Sequence, residues 1–172
     1  MVSNPFPLHI AVSMLEPLPS GYFDAPFGRV AIFDNGGELE KLIYLPESSA
    51  LGASSALTRE VKRQLAAYLK EPAFRFDLPL LPQGTEFQSK VWQQLLAIPV
   101  GEVQTYGEMA AALGSAARAV GGACRRNPLP WVVPCHRVVA SGSLGGFSGA
   151  RQGPMLEIKR WLLCHEGAVS SE

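Results

Sequence analysis

Residues 105–128 read TYGEMAAALGSAARAVGGACRRNP, and they decide the fold of the second half of the chain. Thr105 and Glu108 form a capping box, in which each side chain satisfies a backbone N–H that the helix start leaves free. Gly114 is a typical residue for the end of this first helix. The stretch therefore predicts a short helix that begins after Thr105 and ends at Gly114.

A second short helix follows in the same stretch. Ser115 is predicted to cap it, and the helix covers residues 116–126 before Asn127-Pro128 ends it. Its many alanines and glycines allow close approach to another backbone, while Arg118 and Arg125 supply positive charge. Two short helices joined by a tight turn are typical of a helix-turn-helix, in which the second helix is the recognition helix.

Positive charge is concentrated around these helices. The chain of 172 residues has no formal net charge, yet residues 109–156 hold five arginines and no acidic residue. Arginine favours bidentate contacts with phosphate or base edges. The block predicts an anion-binding face. Chance clustering on a solvated surface is the alternative.

The remaining composition is that of a soluble protein of one ordinary or two small domains. No apolar run reaches the length of about 18 residues that suggests a membrane helix, and the start of the chain lacks the order of a signal peptide. The three cysteines lack CxxC spacing, so reduced thiols in a bacterial-type cytosol are expected. We expect a cytoplasmic protein with no metal or other cofactor and no membrane contact.

A linker is predicted at residues 78–84, where two prolines and a glycine interrupt regular structure. It separates an α/β domain over residues 1–77 from a mainly helical domain over 85–172. The first domain has β-prone runs at 8–15, 29–34 and 39–45. One amphipathic helix follows, with an apolar face made of Leu57, Val61, Leu65, Tyr68 and Leu69. The sequence indicates no chemistry in this half.

Two further helices are predicted in the second half. A capping box over residues 85–88 opens one, which Pro99 ends after apolar residues spaced four apart. The other starts near Pro154, a favourable first-turn residue, and Gly167 follows its end.

Between these helices lies Pro134-Cys135-His136-Arg137-Val138. An ordinary cysteine thiol is largely protonated at neutral pH, and an adjacent histidine is suited to act as its base or relay. A buried, unreactive cysteine beside a surface histidine is the alternative for such a pair taken alone.

Taken with Gly101-Glu102-Val103, residues 117–123, Asn127-Pro128, residues 146–149 and residues 161–167, this block resembles the O6-alkylguanine-DNA alkyltransferases in order and spacing. The resemblance covers residues 85–167. It implies a ribonuclease H-like α/β first domain and a winged-helix-like second domain with a helix-turn-helix.

The activity implied by the resemblance is DNA repair by irreversible, single-turnover transfer of an alkyl group from guanine O6, and from thymine O4, to Cys135. His136 corresponds to the base that acts through a water, Glu166 to the carboxylate that orients it, and Asn127 to a residue that ties the network together. Tyr106 corresponds to the donor that protonates the leaving guanine. The thioether product has no carbonyl for water to attack, so one protein repairs one lesion.

The implied partner is double-stranded DNA carrying O6-alkylguanine, bound through the minor groove by a monomer, with cooperative binding left open. The damaged base is flipped out, because its O6 cannot reach a pocket while stacked. Arg118 corresponds to the finger that fills the gap. The remaining positions implied in DNA or base binding are Tyr106, Ala117, Gly122, Arg125, Pro130, Val138, Phe147, Ser148 and Gly149.

Two departures from the family pattern concern the pocket. Phe147 stands where many members have tyrosine, and the segment 149–154 is longer than usual. Lesion size preference is therefore left open. Three other functions also remain open at this point: a non-catalytic lesion-binding protein, a Cys-His thiol hydrolase or acyltransferase, and a helix-turn-helix regulator.

Overall fold

The first half of the chain builds a three-stranded antiparallel sheet. In this computed structural model, which describes residues 17–170, β1 (Gly21–Ala25), β2 (Gly28–Asp34) and β3 (Leu39–Tyr44) are neighbours in chain order. The strands predicted over 29–34 and 39–45 are confirmed. β1 was not predicted, because its short run includes a glycine and an aspartate, and the predicted run over 8–15 lies outside the described residues.

One helix, α1 (Ala56–Lys70), packs against this sheet. Its predicted apolar face is confirmed, since Val61, Leu65 and Tyr68 are at most 1% exposed. Asp34 at the end of β2 ties the helix start to the sheet, because it accepts hydrogen bonds from the Ser55 and Thr58 hydroxyls. The helix is thereby fixed at its first turn, and its last turn carries Tyr68 towards the second half of the chain.

The second half contains the predicted helices. α2 (Glu86–Ala97) begins with the capping box at Thr85, and α3 (Tyr106–Ala112) with the one at Thr105. α4 (Ala117–Arg125) packs against both α2 and α3. The Trp92 indole N–H donates to the Ala123 carbonyl at 3.0 Å, which fixes α4 on α2.

The predicted cap of α4 is wrong. Ala116, not Ser115, occupies the N-cap position, and no side chain there accepts a hydrogen bond. The Ser115 backbone N–H instead donates to the Ala110 carbonyl, so this serine still belongs to the turn that closes α3. The start of α4 therefore has free N–H groups next to an exposed surface.

The segment that carries Cys135 connects α4 to the last helix. Residues Cys135–Arg137 form one turn of 3-10 helix, and β5 (Val138–Val139) then pairs in parallel with β4 (Gln104–Thr105). α5 (Pro154–His165) begins at the predicted proline, and Gly167 follows its end with a φ of 75°. This path brings the end of α5 against the Cys135 turn.

A continuous set of buried apolar side chains runs through both halves. The predicted linker lies along β3, where the Leu39 N–H donates to the Pro79 carbonyl and the Leu81 N–H to the Leu39 carbonyl. The Leu42 N–H also donates to the Pro128 carbonyl of the second half. Among the helices over residues 17–170, none has both the length and the apolar composition of a membrane span.

Candidate active site

A cavity of about 670 Å³ opens between α3, α4 and the loop that precedes α5. It is lined by Thr105, Tyr106, Gly107, Ala117, Arg118, Gly121, Gly122, Cys124, Arg125, Cys135, Ala140, Ser141, Gly146, Phe147, Ser148, Gly149, Ala150 and Arg151. Among the residues that the structure describes, this lining contains three arginines and no acidic residue. The structure thus brings together Tyr106, Cys135 and most of the residues expected to bind DNA.

Cys135 lines this cavity but is only 4% exposed. The buried apolar run Leu129–Val133 positions it, because the Cys135 N–H donates to the Val133 carbonyl, whose own N–H donates to Leu129. Burial raises the pKa of the Cys135 thiol, while the Asn127 side chain and the charge of Lys159 act in the opposite direction. The resting thiol is therefore protonated, so a nearby base is required to form the thiolate.

Asn127 ties the cysteine to its supporting loop. Its side-chain amide donates to the Val133 carbonyl at 2.8 Å, and its carbonyl oxygen accepts from the Leu129 N–H at 3.0 Å. The same side chain acts to lower the pKa of the Cys135 thiol. Asn127 therefore does more than end α4.

His136 and Glu166 form a buried pair behind the cysteine. The distance between His136 Nε2 and Glu166 Oε1 is 2.9 Å, and neither side chain is exposed. Burial lowers the pKa of His136, although Glu166 acts to raise it. The imidazole is thus neutral near neutral pH. Because Glu166 is ionised, Nε2 carries the proton, and Nδ1 is the free acceptor. Within residues 17–170, Nδ1 is buried without a hydrogen-bond partner.

Glu166 also accepts hydrogen bonds from two residues that the sequence did not indicate. Arg137 approaches with two nitrogens, Nε at 2.9 Å from Oε2 and Nη2 at 2.9 Å from Oε1. The Tyr68 hydroxyl donates to Oε1 at 2.7 Å. Burial alone would raise the pKa of Glu166, but the hydrogen bonds from His136, Arg137 and Tyr68 hold it at about 2.

Arg137 corrects the interpretation of the arginine block. Its side chain is 11% exposed and pairs with Glu166, and its Nη1 donates to the Ile98 carbonyl at 2.6 Å. It is therefore occupied inside the protein and is not part of the anion-binding face. Arg118, Arg125, Arg126 and Arg151 are exposed.

Tyr106 stands across the cavity at the start of α3, where its hydroxyl donates to the Gly146 carbonyl at 3.2 Å. Burial raises the pKa of Tyr106, so its phenol stays protonated and remains a donor. Beneath it lies Lys159, which is fully buried and donates to the Val138 and Gly146 carbonyls at 2.6 and 2.9 Å. Burial lowers the pKa of Lys159 to about 8, against the opposing influence of Cys135 and Cys124.

The outer wall is formed by α4 and the loop before α5. Ala117, Arg118, Gly122 and Arg125 are exposed on α4. Phe147 and Ala150 exchange two backbone hydrogen bonds of 2.9 Å, and Ser148 and Gly149 both have positive φ, so a tight turn faces the cavity. A Cβ at Gly149 would lie 2.7 Å from Arg125 Nε, so glycine permits the close approach of this arginine.

Pro130 and Val138 do not line the cavity. Both are buried, and the Val138 carbonyl accepts from Lys159. Phe147 is 4% exposed and packs against Tyr44, with ring centroids 5.9 Å apart. These three residues therefore support the site from within or form its wall.

Sequence reasoning did not assign Tyr68, Arg137 or Lys159 to the site, although the sequence contained a signal for Lys159. Lys159 follows Met155 by four positions and precedes Leu162 by three, so helical periodicity places it on the buried face of α5. The contact between Tyr68 and Glu166 joins residues 98 positions apart and follows only from the packing of the two halves.

Comparison with known proteins gives concordant results. Residues 86–168 match the family profile of the 6-O-methylguanine DNA methyltransferase DNA-binding domain. A methylated-DNA–protein-cysteine methyltransferase of Methanosarcina acetivorans is 40% identical over 157 residues, which cover 85% of this chain and 96% of that protein. One from Mycobacterium leprae is 40% identical over 147 residues, covering 80% and 89%.

Solved structures agree with these relatives. The crystal structure of Mycobacterium tuberculosis OGT in complex with DNA superposes with a TM-score of 0.73 at 37% identity, covering 84% of this chain and 90% of that one. The O6-methylguanine DNA methyltransferase of Methanococcus jannaschii gives a TM-score of 0.62 at 26% identity, covering 88% and 96%. The match extends through both halves of the chain.

Proposed function

This chain belongs to the methylated-DNA–protein-cysteine methyltransferase family, and from that membership we propose that Cys135 is the acceptor to which it transfers alkyl groups from DNA. DNA repair by alkyl transfer to a cysteine is the activity of the chain, and DNA is its partner. The observation that supports Cys135 as the acceptor is its position in the cavity, next in the chain to the buried His136, which is hydrogen-bonded to Glu166.

The substrate in this proposal is an O6-alkylguanine, or an O4-alkylthymine, flipped from the duplex into the cavity. A cavity of about 670 Å³ accommodates a single nucleotide base with its substituent. Docking occurs through the minor groove, with α3 and α4 acting as a helix-turn-helix in a monomer. The small exposed residues of α4 suit close contact with a narrow groove.

The transfer then proceeds in one displacement. The thiol proton of Cys135 passes through a water to His136 Nδ1, and the sulfur attacks the saturated carbon bound to O6. The carbon–oxygen bond breaks, its electron pair moves to O6 and into the guanine ring, and Tyr106 donates a proton to N3. The proton held by His136 then returns through water to the Tyr106 phenolate, and the proton on N3 exchanges through water to N1. Unmodified guanine and an S-alkylated Cys135 result. Glu166 supports the imidazolium that forms on His136.

We also propose that the chain consists of two domains joined by a linker. Residues 1–77 form a ribonuclease H-like domain, 78–84 a linker, and 85–172 a winged-helix-like domain. The antiparallel sheet with α1 across it and the helix pair α3–α4 support this division.

Stoichiometry tests the proposed reaction. Duplex DNA with one O6-methylguanine is incubated with protein at several ratios, and restored guanine is counted after hydrolysis to nucleosides. We expect one guanine per protein at most. Repeated turnover would instead indicate a hydrolase or acyltransferase, and binding without restored guanine would indicate a lesion-binding protein.

Arg118 is proposed to fill the space left by the flipped nucleotide. Because an open base stack costs a few kcal/mol, Arg118→Ala is expected to slow repair of duplex DNA by about a hundredfold. Its reaction with free O6-benzylguanine, which needs no flipping, is expected to stay within about twofold of the unmodified protein. Transfer rates on both substrates provide the measurement.

Arg126→Ala is the matched control, because Arg126 is exposed at the end of the same helix but does not line the cavity. Equal losses on duplex and free base in Arg118→Ala would refute the proposed role. So would an equal duplex defect in Arg126→Ala.

A further inference from the structure

The first half of the chain contributes one polar group to the buried network behind Cys135. Tyr68 lies in the last turns of α1 and is 1% exposed. Its hydroxyl donates to Glu166 Oε1 at 2.7 Å, and its backbone carbonyl lies 2.9 Å from His165 Nε2. Both contacts bind the end of α5 to α1, next to the residues assigned to the transfer.

The hydroxyl of Tyr68 is not required for packing. The ring is stacked on Phe76 at 5.6 Å between centroids and meets Trp131 edge-on at 5.6 Å. A phenylalanine ring would fill the same space. Burial raises the pKa of Tyr68, so the hydroxyl keeps its proton and serves as a donor to the carboxylate. A buried hydroxyl directed at an ionised carboxylate stabilises that carboxylate in one orientation.

Three residues together determine how Glu166 is held. Arg137 spans both carboxylate oxygens, while Tyr68 and His136 share Oε1 with it. Glu166 Oε1 accepts from three donors at once. The strength of its hydrogen bond to His136 therefore depends on the bonds that it also accepts from Tyr68 and Arg137. Removing one donor allows the Glu166 carboxylate to move. It also leaves the carboxylate charge less neutralised by hydrogen bonds, so Glu166 attracts the His136 proton more strongly.

We propose that Tyr68 is a positioning residue for alkyl transfer, whose hydroxyl holds Glu166 in the orientation that supports His136 and limits how strongly Glu166 attracts the imidazole proton. This inference rests on the proposed transfer to Cys135. It assigns to the first half of the chain an indirect part in the reaction, through one hydrogen bond from α1 to Glu166 at the end of α5.

The titratable groups that lie around His136 and its partner Glu166 come from several elements. Arg137 is beside His136, Lys159 acts on it from α5, and Glu166 acts on it from the position that follows α5. Tyr68 faces Glu166 from α1, and Tyr44 faces Cys135 and Glu166 from β3. Cys135 precedes it. Apart from His136 itself, Tyr68 is the only uncharged group within residues 17–170 that hydrogen-bonds to the Glu166 carboxylate.

Tyr68→Phe tests the proposal in the full-length protein. The single-turnover rate on O6-methylguanine duplex is expected to fall about tenfold, because Glu166 is less well held. His136 becomes easier to protonate, so the acid limb of the pH–rate profile moves to higher pH. The imidazole titration of His136, followed by NMR, is expected to shift in the same direction.

Tyr44→Phe is the matched control. It removes the same hydroxyl from another buried tyrosine nearby, but the Tyr44 hydroxyl has no hydrogen-bond partner among residues 17–170. Its rate and pH profile are expected to match those of the unmodified protein. Replacing Tyr68 by 3-fluorotyrosine keeps the ring and strengthens the donor, so the acid limb is expected to move to lower pH.

The outcomes separate this inference from the proposed function. Failure of the unmodified protein to transfer the methyl group would refute the function itself. If the unmodified protein reacts and Tyr68→Phe retains its rate, the inference is overturned. If Tyr68→Phe loses rate but neither the acid limb nor the His136 titration shifts, Tyr68 has only a structural role. If Tyr68→Phe does not fold, an unchanged profile in the 3-fluorotyrosine protein overturns the inference.

Discussion

Replacing Cys135 by serine is expected to abolish alkyl transfer while leaving DNA binding intact. The serine hydroxyl fits the same space, but it stays protonated and is a poor nucleophile for a saturated carbon. The helices and arginines proposed to contact the duplex lie on other parts of the cavity wall. Single-turnover repair assays and gel-shift titrations on the same duplex measure the two properties separately.

The other thiols serve as controls for this variant. Cys124 lines the same cavity, but burial raises its pKa to about 12 and no base comparable to His136 is bonded beside it in the part of the chain that the structure describes. Cys164 lies on α5 and donates to the Ser170 carbonyl. Cys124→Ser and Cys164→Ser are expected to retain transfer. Retained transfer in Cys135→Ser, or its loss in Cys124→Ser alone, would contradict the assignment.

Glu166→Gln is expected to damage both activity and stability. The neutral amide leaves the buried Arg137 without its counter-charge, which costs about 3 kcal/mol of unfolding free energy. His136 also loses the carboxylate that supports its protonated form, so the transfer rate is expected to fall about a hundredfold. Denaturant unfolding and single-turnover rates provide the two measurements.

The stabilisation supplied by the Glu166 carboxylate depends on pH. The pKa of Glu166 falls from 4.5 to about 2 on folding. The unfolded chain therefore binds the proton more readily, so the stabilisation is complete above pH 4.5 and is lost as the pH falls towards 2. The difference between the unmodified protein and Glu166→Gln should shrink over that range.

Glu60→Gln is the control for the glutamate variant, because Glu60 pairs with Arg63 on the exposed side of α1. Exposed pairs contribute at most about 1 kcal/mol, so little change is expected. A stability loss in Glu166→Gln no larger than in Glu60→Gln would show that the buried network does not stabilise the fold.

Local sequence signals predicted the elements that have strong boundaries. The capping boxes at Thr85 and Thr105, and the proline that opens α5, correspond to observed helix starts. The prediction that Ser115 caps α4 was wrong. A serine after Gly114 is compatible with a helix that starts at the next residue and with one that starts a residue later, so the sequence did not determine the cap. β1 was missed because short strands depend on their neighbours more than on their own composition.

The site was predictable to the extent that its residues lie in one motif or were implied by the family resemblance. Cys135 and His136 are adjacent in the sequence, and the resemblance indicated Glu166. Tyr68, Arg137 and Lys159 are ordinary residue types whose roles arise from burial and from contacts between distant elements. Those contacts depend on how the two halves pack, which no local pattern contains.

The central claim is that the alkyl group ends on the sulfur of Cys135. Trypsin separates the three thiols, because Cys124 falls in residues 119–125, Cys135 in 127–137 and Cys164 in 161–172. After reaction with O6-methylguanine duplex, mass spectrometry of these peptides is the most direct measurement. We predict a gain of one CH2 unit on the 127–137 peptide alone, localised to Cys135. An unmodified 127–137 peptide after guanine has been restored, or the gain on either other peptide, would contradict the claim.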